Sequence, residues 1–335
     1  MKQEKHILVI GGAGYIGSVL CRKLLSKEYR VRVLDKLLYQ NGSSIYNLSE
    51  EKNFSFINGD FGDDITLRNS LDGITDVVLL AALVGDPICK KYHELARKVN
   101  LEYPKKLIHH LNNKSINRFI FTSTCSNYGL RNDDTPADEK SDLNPQSLYA
   151  ETKVEFEKYI LSNINNIDYS PTILRLATAF GISGRMRFDL TISEFSRELA
   201  LGKELLVFDE NTWRPYCHVS DISDAIINVL ESSKEKVLGE VFNVGSNIEN
   251  YTKKMILDLI QKYIDKPIIN YKQGGFDPRN YRVSFNKIKS ILNFEAQFTA
   301  EQSIKEVINA INNHLFDDVE SRKNFYGNYY LDTSS

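Results

Sequence analysis

Apolar and polar positions follow two rhythms along this 335-residue chain. Short, β-branched apolar runs occupy 6–10, 30–34, 54–57, 76–80, 118–122 and 170–176, and polar or turn-forming residues bound most of them. Each run has the length of a strand buried on both faces. Between them lie stretches with helical spacing, the longest at 94–112 and 149–163. Strands alternating with helices predict an α/β fold in which a parallel sheet is covered on both faces. After residue 180 the rhythm loosens. Residues 181–187 are rich in glycine and arginine, helical spacing returns at 190–201, 253–263 and 300–312, and 240–244 adds one more strand. The predicted division is a sheet domain of 1–180 completed by 215–250, a smaller interleaved lobe of 181–214 and 251–320, and a tail of 321–335.

The first strand runs directly into chemistry. His6 to Ile10 is followed by Gly11-Gly12-Ala13-Gly14-Tyr15-Ile16-Gly17, and a helical pattern (Ile16, Val19, Leu20, Leu24) starts at once. Glycines let backbone approach a pyrophosphate, and a helix start aims free N–H groups at it. Asp35 ends the second run about twenty residues past the glycines, where a carboxylate accepts hydrogen bonds from an adenosine ribose. The pattern predicts a Rossmann-type doubly wound parallel sheet holding a dinucleotide. Asp35 favours NAD over NADP because it repels a 2′-phosphate, and Lys36 beside it softens that repulsion. A strand-to-helix turn without a ligand is the alternative.

Composition narrows the partners. Net charge is −2, with 42 basic against 44 acidic residues; no basic stripe points to nucleic acid and no charge block to a membrane surface. No apolar run is long enough to span a bilayer, and the short one near the start leads into the glycine turn instead of a cleavage site. Cys21, Cys89, Cys125 and Cys217 lie far apart without metal spacing, which suits the reducing cytoplasm. His109 and His110 lack a third ligand at metal spacing and are read as a solvated helix face, so no metal is expected.

A second constellation begins at Tyr149. Tyr149 and Lys153 are four apart at the start of a predicted helix and share a face. A phenol is a weak base until nearby positive charge stabilises its anion; bringing its pKa from ~10 to ~7 takes roughly 4 kcal/mol. Lys153 and a positively charged nicotinamide would supply that charge. Thr124, at the end of the fifth strand, can hold the oxygen whose proton Tyr149 removes. An amphipathic helix is the alternative for the Tyr-Lys pair alone.

These motifs together resemble the extended short-chain dehydrogenases/reductases that act on nucleotide-activated sugars, over nearly the whole chain. The resemblance assigns Gly11, Gly14, Tyr15, Ile16, Gly17, Asp35 and Lys36 to the cofactor, Asp60 and Phe61 to adenine, and Ala81, Ala82 and Leu83 to the nicotinamide half. It makes Thr124, Tyr149 and Lys153 catalytic, places Tyr149 and Lys153 also at the cofactor, with Lys153 positioning its ribose, and makes Asn100 the helix asparagine of the family. Val84, Thr124, Thr178, Arg187, Arg214 and Arg279 fall to the nucleotide-sugar substrate, with Arg214 in Trp213-Arg214-Pro215-Tyr216-Cys217-His218 and Arg279 in Asp277-Pro278-Arg279 facing the diphosphate. Paired guanidinium bonds suit phosphate oxygens; salt bridges are the alternative for Arg185, Arg187 and Arg282. His218 is read as structural. The resemblance also implies a homodimer through 94–112 and 149–163.

Two departures shape the functional expectation. Cys125 and Ser126 stand where sugar dehydratases carry an Asp-Glu pair, so loss of water is not expected; Cys125 is read as packing. Thr178 stands where 4-epimerases often carry asparagine. The segments Ser123 to Gly129 and Gly85 to Cys89 resemble enzymes that oxidise C4 of a nucleotide-linked sugar, GDP-heptose 4-dehydrogenases among them. The expectation is an NAD-dependent nucleotide-sugar 4-dehydrogenase of surface-polysaccharide biosynthesis. A nucleotide-sugar 4-epimerase is the alternative, and a non-catalytic NAD-binding regulator the competing class.

Overall fold

A computed structural model describes residues 5–131, 135–275 and 277–331. Strands β1 (His6–Ile10), β2 (Arg30–Asp35), β3 (Phe54–Asn58), β4 (Asp76–Leu79), β5 (Arg118–Thr124) and β6 (Ser170–Leu176) lie where the apolar runs predict them. Four strands of the smaller lobe's sheets are β7 (Thr178–Phe180), β8 (Leu205–Phe208), β9 (Trp213–His218) and, after β10 (Val241–Val244), β11 (Asn250–Thr252); β12 (Ile269–Lys272) is the fifth. The large sheet has the order β10-β6-β5-β4-β1-β2-β3, and every pairing in it is parallel. Along β1, Ile7 and Val9 enter one apolar core and Leu8 and Ile10 the other. Period-two side chains in two dry cores explain why the run reads as continuously apolar.

The order reverses between β1 and β4, the place where open α/β sheets bind ligands at their carboxyl ends. The glycine turn and the loops after β2, β4 and β5 meet there. The predicted helix 94–112 is two helices, His93–Arg97 and Tyr103–Leu111, joined by a π turn over Lys98–Glu102. Pro104 has no N–H to give the preceding turn, and a π turn re-aims the residue it contains. Asn100 thereby reaches the loop after β4, accepting from the Leu83 N–H at 2.8 Å and donating to its carbonyl at 3.0 Å.

The smaller lobe forms a sheet β11-β9-β7 and a pair β12-β8, cored by Phe180, Phe195, Tyr216 and Ile256. The return to the large lobe is made by helix Val219–Glu231, which packs on helix Tyr15–Ser26, and by β10. Within the segment 215–250, expected to complete the large domain, residues 215–218 pair with the smaller sheet and β10 with the large one. The segment predicted as a tail is packed as far as it is described: Phe325 and Tyr326 are buried beside Phe188, and Leu331 in the large lobe's core. Residues 332–335 lie outside the described residues.

Candidate active site

One cavity of about 730 Å³ runs from the glycine turn across the carboxyl ends of β2, β4 and β5 to the smaller lobe. At its start the backbone permits only glycine. Gly11 has φ +90°, and a Cβ there would stand 2.6 Å from the Ala81 nitrogen; one on Gly17 would stand 2.4 Å from the Gly11 carbonyl oxygen. Gly14 differs, with only one atom near its missing Cβ and its face on the cavity. This is a cradle shaped for a pyrophosphate at a helix start. Asp35 lies at the next strand end. Its carboxylate accepts from the Ala13 and Leu37 N–H groups at 3.0 and 2.8 Å, and burial raises its pKa.

The remaining cofactor candidates fall on the same wall with one exception. Tyr15, Ile16, Lys36, Asp60, Phe61, Ala81 and Ala82 line the cavity. The Tyr15 hydroxyl also ties the lobes together by donating to the Gly181 carbonyl at 2.6 Å. Lys36 pairs with Asp60 at 3.5 Å. Leu83 lies behind that wall: its side chain is wholly buried in the large lobe's core, and its backbone bonds Asn100 and the Cys89 thiol. Apolar burial outweighs cavity exposure for a leucine there.

Ser147 caps helix Leu148–Ser162 and sets Tyr149 and Lys153 on the cavity. The Lys153 amine lies 5.7 Å from the Tyr149 ring centre and donates to the Thr122 carbonyl at 2.8 Å. Thr124 lines the cavity at the end of β5, and its hydroxyl oxygen accepts from the Ser126 N–H at 3.1 Å. The electrostatics differ from the sequence argument. Burial, then the nearby Cys89 and Asp86, push the Tyr149 phenol up, against Arg187 and Arg279. Burial also takes Lys153 down from 10.5 to about 7, with Glu157 opposing. Spacing shows the attraction between the two groups and carries no record of the cost of removing both from water.

The substrate candidates share the far end. Val84, Thr178, Arg187, Arg214 and Arg279 line it. Arg187 forks onto Asp189 with two bonds of 2.6 Å. Arg214 and Arg279 flank Asp277, each with a 2.8 Å bond to its Oδ2, and Arg279 also reaches Asp86 at 3.1 Å. Burial works to raise the Asp277 carboxyl, but the two guanidinium groups together hold it well below its ordinary range. Two arginines already locked around one anionic group are preorganised for another. Arg185 bonds the C-terminal segment, and Arg282 stacks 5.1 Å from the Trp213 ring centre.

Cys125 is buried with its thiol on the Arg175 carbonyl. His218 stacks on Phe298 and accepts from the Ser220 N–H. Other parts of the site had no motif. Beneath β5, Arg175 forks onto Glu157 at 2.7 Å, both fully buried, while Ser123 and Asn127 also donate to Glu157. Asn328 and Tyr329 line the cavity from the chain's end; no spacing pattern announces them.

The chain belongs to the NAD-dependent epimerase/dehydratase family, whose model matches residues 7–245. It is an NAD-dependent enzyme, which sets aside the non-catalytic regulator. Similar proteins include the UDP-glucose 4-epimerase of Corynebacterium glutamicum, 27% identical over 95% of this chain and 98% of that one. A putative UDP-arabinose 4-epimerase of Arabidopsis thaliana is also 27% identical, over 90% of this chain and 78% of that one. The structure of UDP-glucuronic acid 4-epimerase from Bacillus cereus in complex with NAD superimposes with a TM-score of 0.81, 25% identity, and coverage of 91% and 99%. The cradle of Gly11, Gly14 and Gly17 and the carboxylate of Asp35 fit that cofactor.

Proposed function

We propose that the chain is a nucleotide-sugar 4-epimerase that oxidises and then re-reduces C4 of a sugar carried on a nucleoside diphosphate. The observation that carries this reading is the meeting, on one cavity, of Thr124, Tyr149 and Lys153 with the arginine pair Arg214 and Arg279. The 4-epimerases among its relatives support it. Arg214 and Arg279 grip the diphosphate, and that remote binding energy fixes the sugar at the reacting centre. Thr124 holds the C4 oxygen, and Tyr149 takes its proton and later returns one. Lys153 steadies the Tyr149 anion and is fixed for that by Thr122. Bound NAD supplies the acceptor and donor of the C4 hydrogen, with Gly11, Gly14, Gly17 and Ile16 at its pyrophosphate, Asp35 at its ribose, Asp60 and Phe61 at adenine, and Ala81 and Ala82 beside nicotinamide. Thr178, Val84 and Arg187 line the sugar.

One observation favours the 4-dehydrogenase as a second reading. Epimerisation requires the 4-keto sugar to turn over, and the C-terminal segment crosses this end of the cavity, with Asn328 bonded to the Val84 carbonyl at 3.0 Å. Incubating the enzyme with nucleotide sugars and weighing the products separates the readings. Unchanged mass with inverted C4 supports the epimerase, and loss of two hydrogens supports the dehydrogenase. Loss of water refutes both, since Cys125 and Ser126 offer no acid–base pair.

The proposal includes a homodimer joined by helices His93–Arg97, Tyr103–Leu111 and Leu148–Ser162 with their twofold mates; a monomer mass by light scattering removes it. Among the described residues no helix is long and apolar enough to cross a membrane. Four buried free thiols suit the cytoplasm.

A further inference from the structure

The far end of the cavity has a wall supplied by the last described residues. After helix Ala300–Asn312 the chain turns back, buries Phe325 and Tyr326 in the smaller lobe, and crosses to the large lobe. There Leu331 is buried and its carbonyl accepts from the Tyr92 hydroxyl at 3.3 Å. Both ends of the crossing are therefore anchored in apolar cores.

Polar bonds fix what lies between. Arg185, 3% exposed and 4.5 Å from the Tyr39 ring centre, donates to the Gly327 carbonyl at 3.0 Å and to Asn328 Oδ1 at 2.8 Å. The Asn328 N–H donates to Asp189 at 3.2 Å, and its side-chain amide to the Val84 carbonyl at 3.0 Å. Val84 follows β4 in the large lobe and Asp189 holds Arg187 in the smaller one, so Asn328 joins the two across the cavity.

Tyr329 follows at once on the cavity wall, its ring about half exposed. Among the described residues its hydroxyl makes no hydrogen bond, although burial and then Asp189 and Glu194 push its pKa up to about 12. Tyr149 and Arg187 line the same cavity. A half-exposed ring on anchored backbone, whose hydroxyl has no hydrogen-bond partner among the described residues, is suited to hydrogen-bond a polyhydroxylated ligand in that cavity.

We infer that Tyr329 is a specificity-determining contact of the sugar subsite, its hydroxyl bonding a sugar hydroxyl while Asn328 and Arg185 hold the segment across the cavity. The inference rests on the nucleotide-sugar reading above. It concerns the sugar alone, because the diphosphate is met by Arg214 and Arg279.

The test compares the full-length, NAD-loaded wild type with Tyr329→Phe, which keeps the ring and removes the hydroxyl. Calorimetry with UDP, GDP, UDP-glucose, UDP-glucuronic acid and GDP-mannose reads the two parts of the ligand separately. Expected is a loss of about five- to tenfold in affinity for the sugar nucleotide, the size of one hydrogen bond, with affinity for the bare nucleotide and the bound NAD content unchanged. A variant that binds the sugar nucleotide within about twofold of wild type overturns the inference and leaves the proposed function standing. Equal weakening of sugar nucleotide and bare nucleotide also overturns it, because Tyr329 would then meet the nucleotide. A wild type that binds none of the five refutes the proposed function and this inference with it.

Discussion

Replacing Lys153 by Met separates what the buried amine does to folding from what it does for chemistry. Lys153 is 2% exposed, donates to the Thr122 carbonyl at 2.8 Å, and lies 4.6 Å from the Phe121 ring centre. Burial takes its pKa from 10.5 to about 7. In the unfolded chain the amine keeps its ordinary pKa. Below pH 7, therefore, both states carry the proton and the folded state bears the full cost of burying the charge, roughly 5 kcal/mol. As pH rises from 7 toward 10.5 the folded state sheds that proton and the cost shrinks, to roughly 2 kcal/mol near pH 9. Methionine fills a similar volume without charge and gives up one hydrogen bond, worth about 1 kcal/mol. The cofactor-free Lys153→Met protein is expected to exceed wild type in stability by roughly 4 kcal/mol at pH 6 and 1 kcal/mol at pH 9, while its activity is lost. Urea denaturation at the two pH values measures the gap. A gap that does not narrow with pH, or a variant less stable than wild type at pH 6, refutes the reasoning.

Tyr149→Phe is expected to lower turnover about 10²–10⁴-fold while bound NAD, read from the protein's absorbance and by extraction, stays near wild type; a loss under about tenfold points to another base. Asp35→Ser is expected to narrow the preference for NAD over NADP, measured by calorimetry, because the carboxylate bonded to Ala13 and Leu37 no longer repels a 2′-phosphate; an unchanged preference contradicts that role. Glu157→Gln leaves the Arg175 guanidinium charged and buried without its counter-ion, and a loss of about 3–5 kcal/mol in urea denaturation is expected.

What was legible in the sequence follows from how far apart the cooperating residues lie. The six leading strands were readable because both faces of the sheet are dry, so Ile7, Leu8, Val9 and Ile10 are apolar without alternation. The glycine turn was readable because sterics within a dozen residues, aided by Ala81, fix it. Tyr149 and Lys153 were readable as one helix face. The electrostatics were not, because desolvation depends on what surrounds a group and spacing carries no record of that. The short strands of the smaller lobe have little pattern of their own; β9 carries Pro215 and draws its partners from residues 178–180 and 250–252. Tyr329 was hidden among several C-terminal tyrosines. Tyr326 is buried while Tyr329 and Tyr330 are both about half exposed, and what sets Tyr329 apart is the cavity it lines, built from residues far back in the chain.

The place of β10 has a consequence for synthesis. β10 pairs in parallel with β6, Val241 opposite Ile173 and Val244 opposite Leu176, and Asn243 accepts from the Tyr128 hydroxyl at 2.8 Å and donates to the Ser284 carbonyl at 3.1 Å. Everything from residue 177 to residue 240 is translated between the two strands. On the ribosome, β6 therefore waits with its outer edge unpaired until residue 244 has cleared the exit tunnel, while the strands that will form the smaller lobe emerge beside it. An unpaired parallel edge is a site for wrong pairing. The length of that interval is set by the elongation rate over those residues, so synonymous codon changes there are expected to couple yield to translation speed.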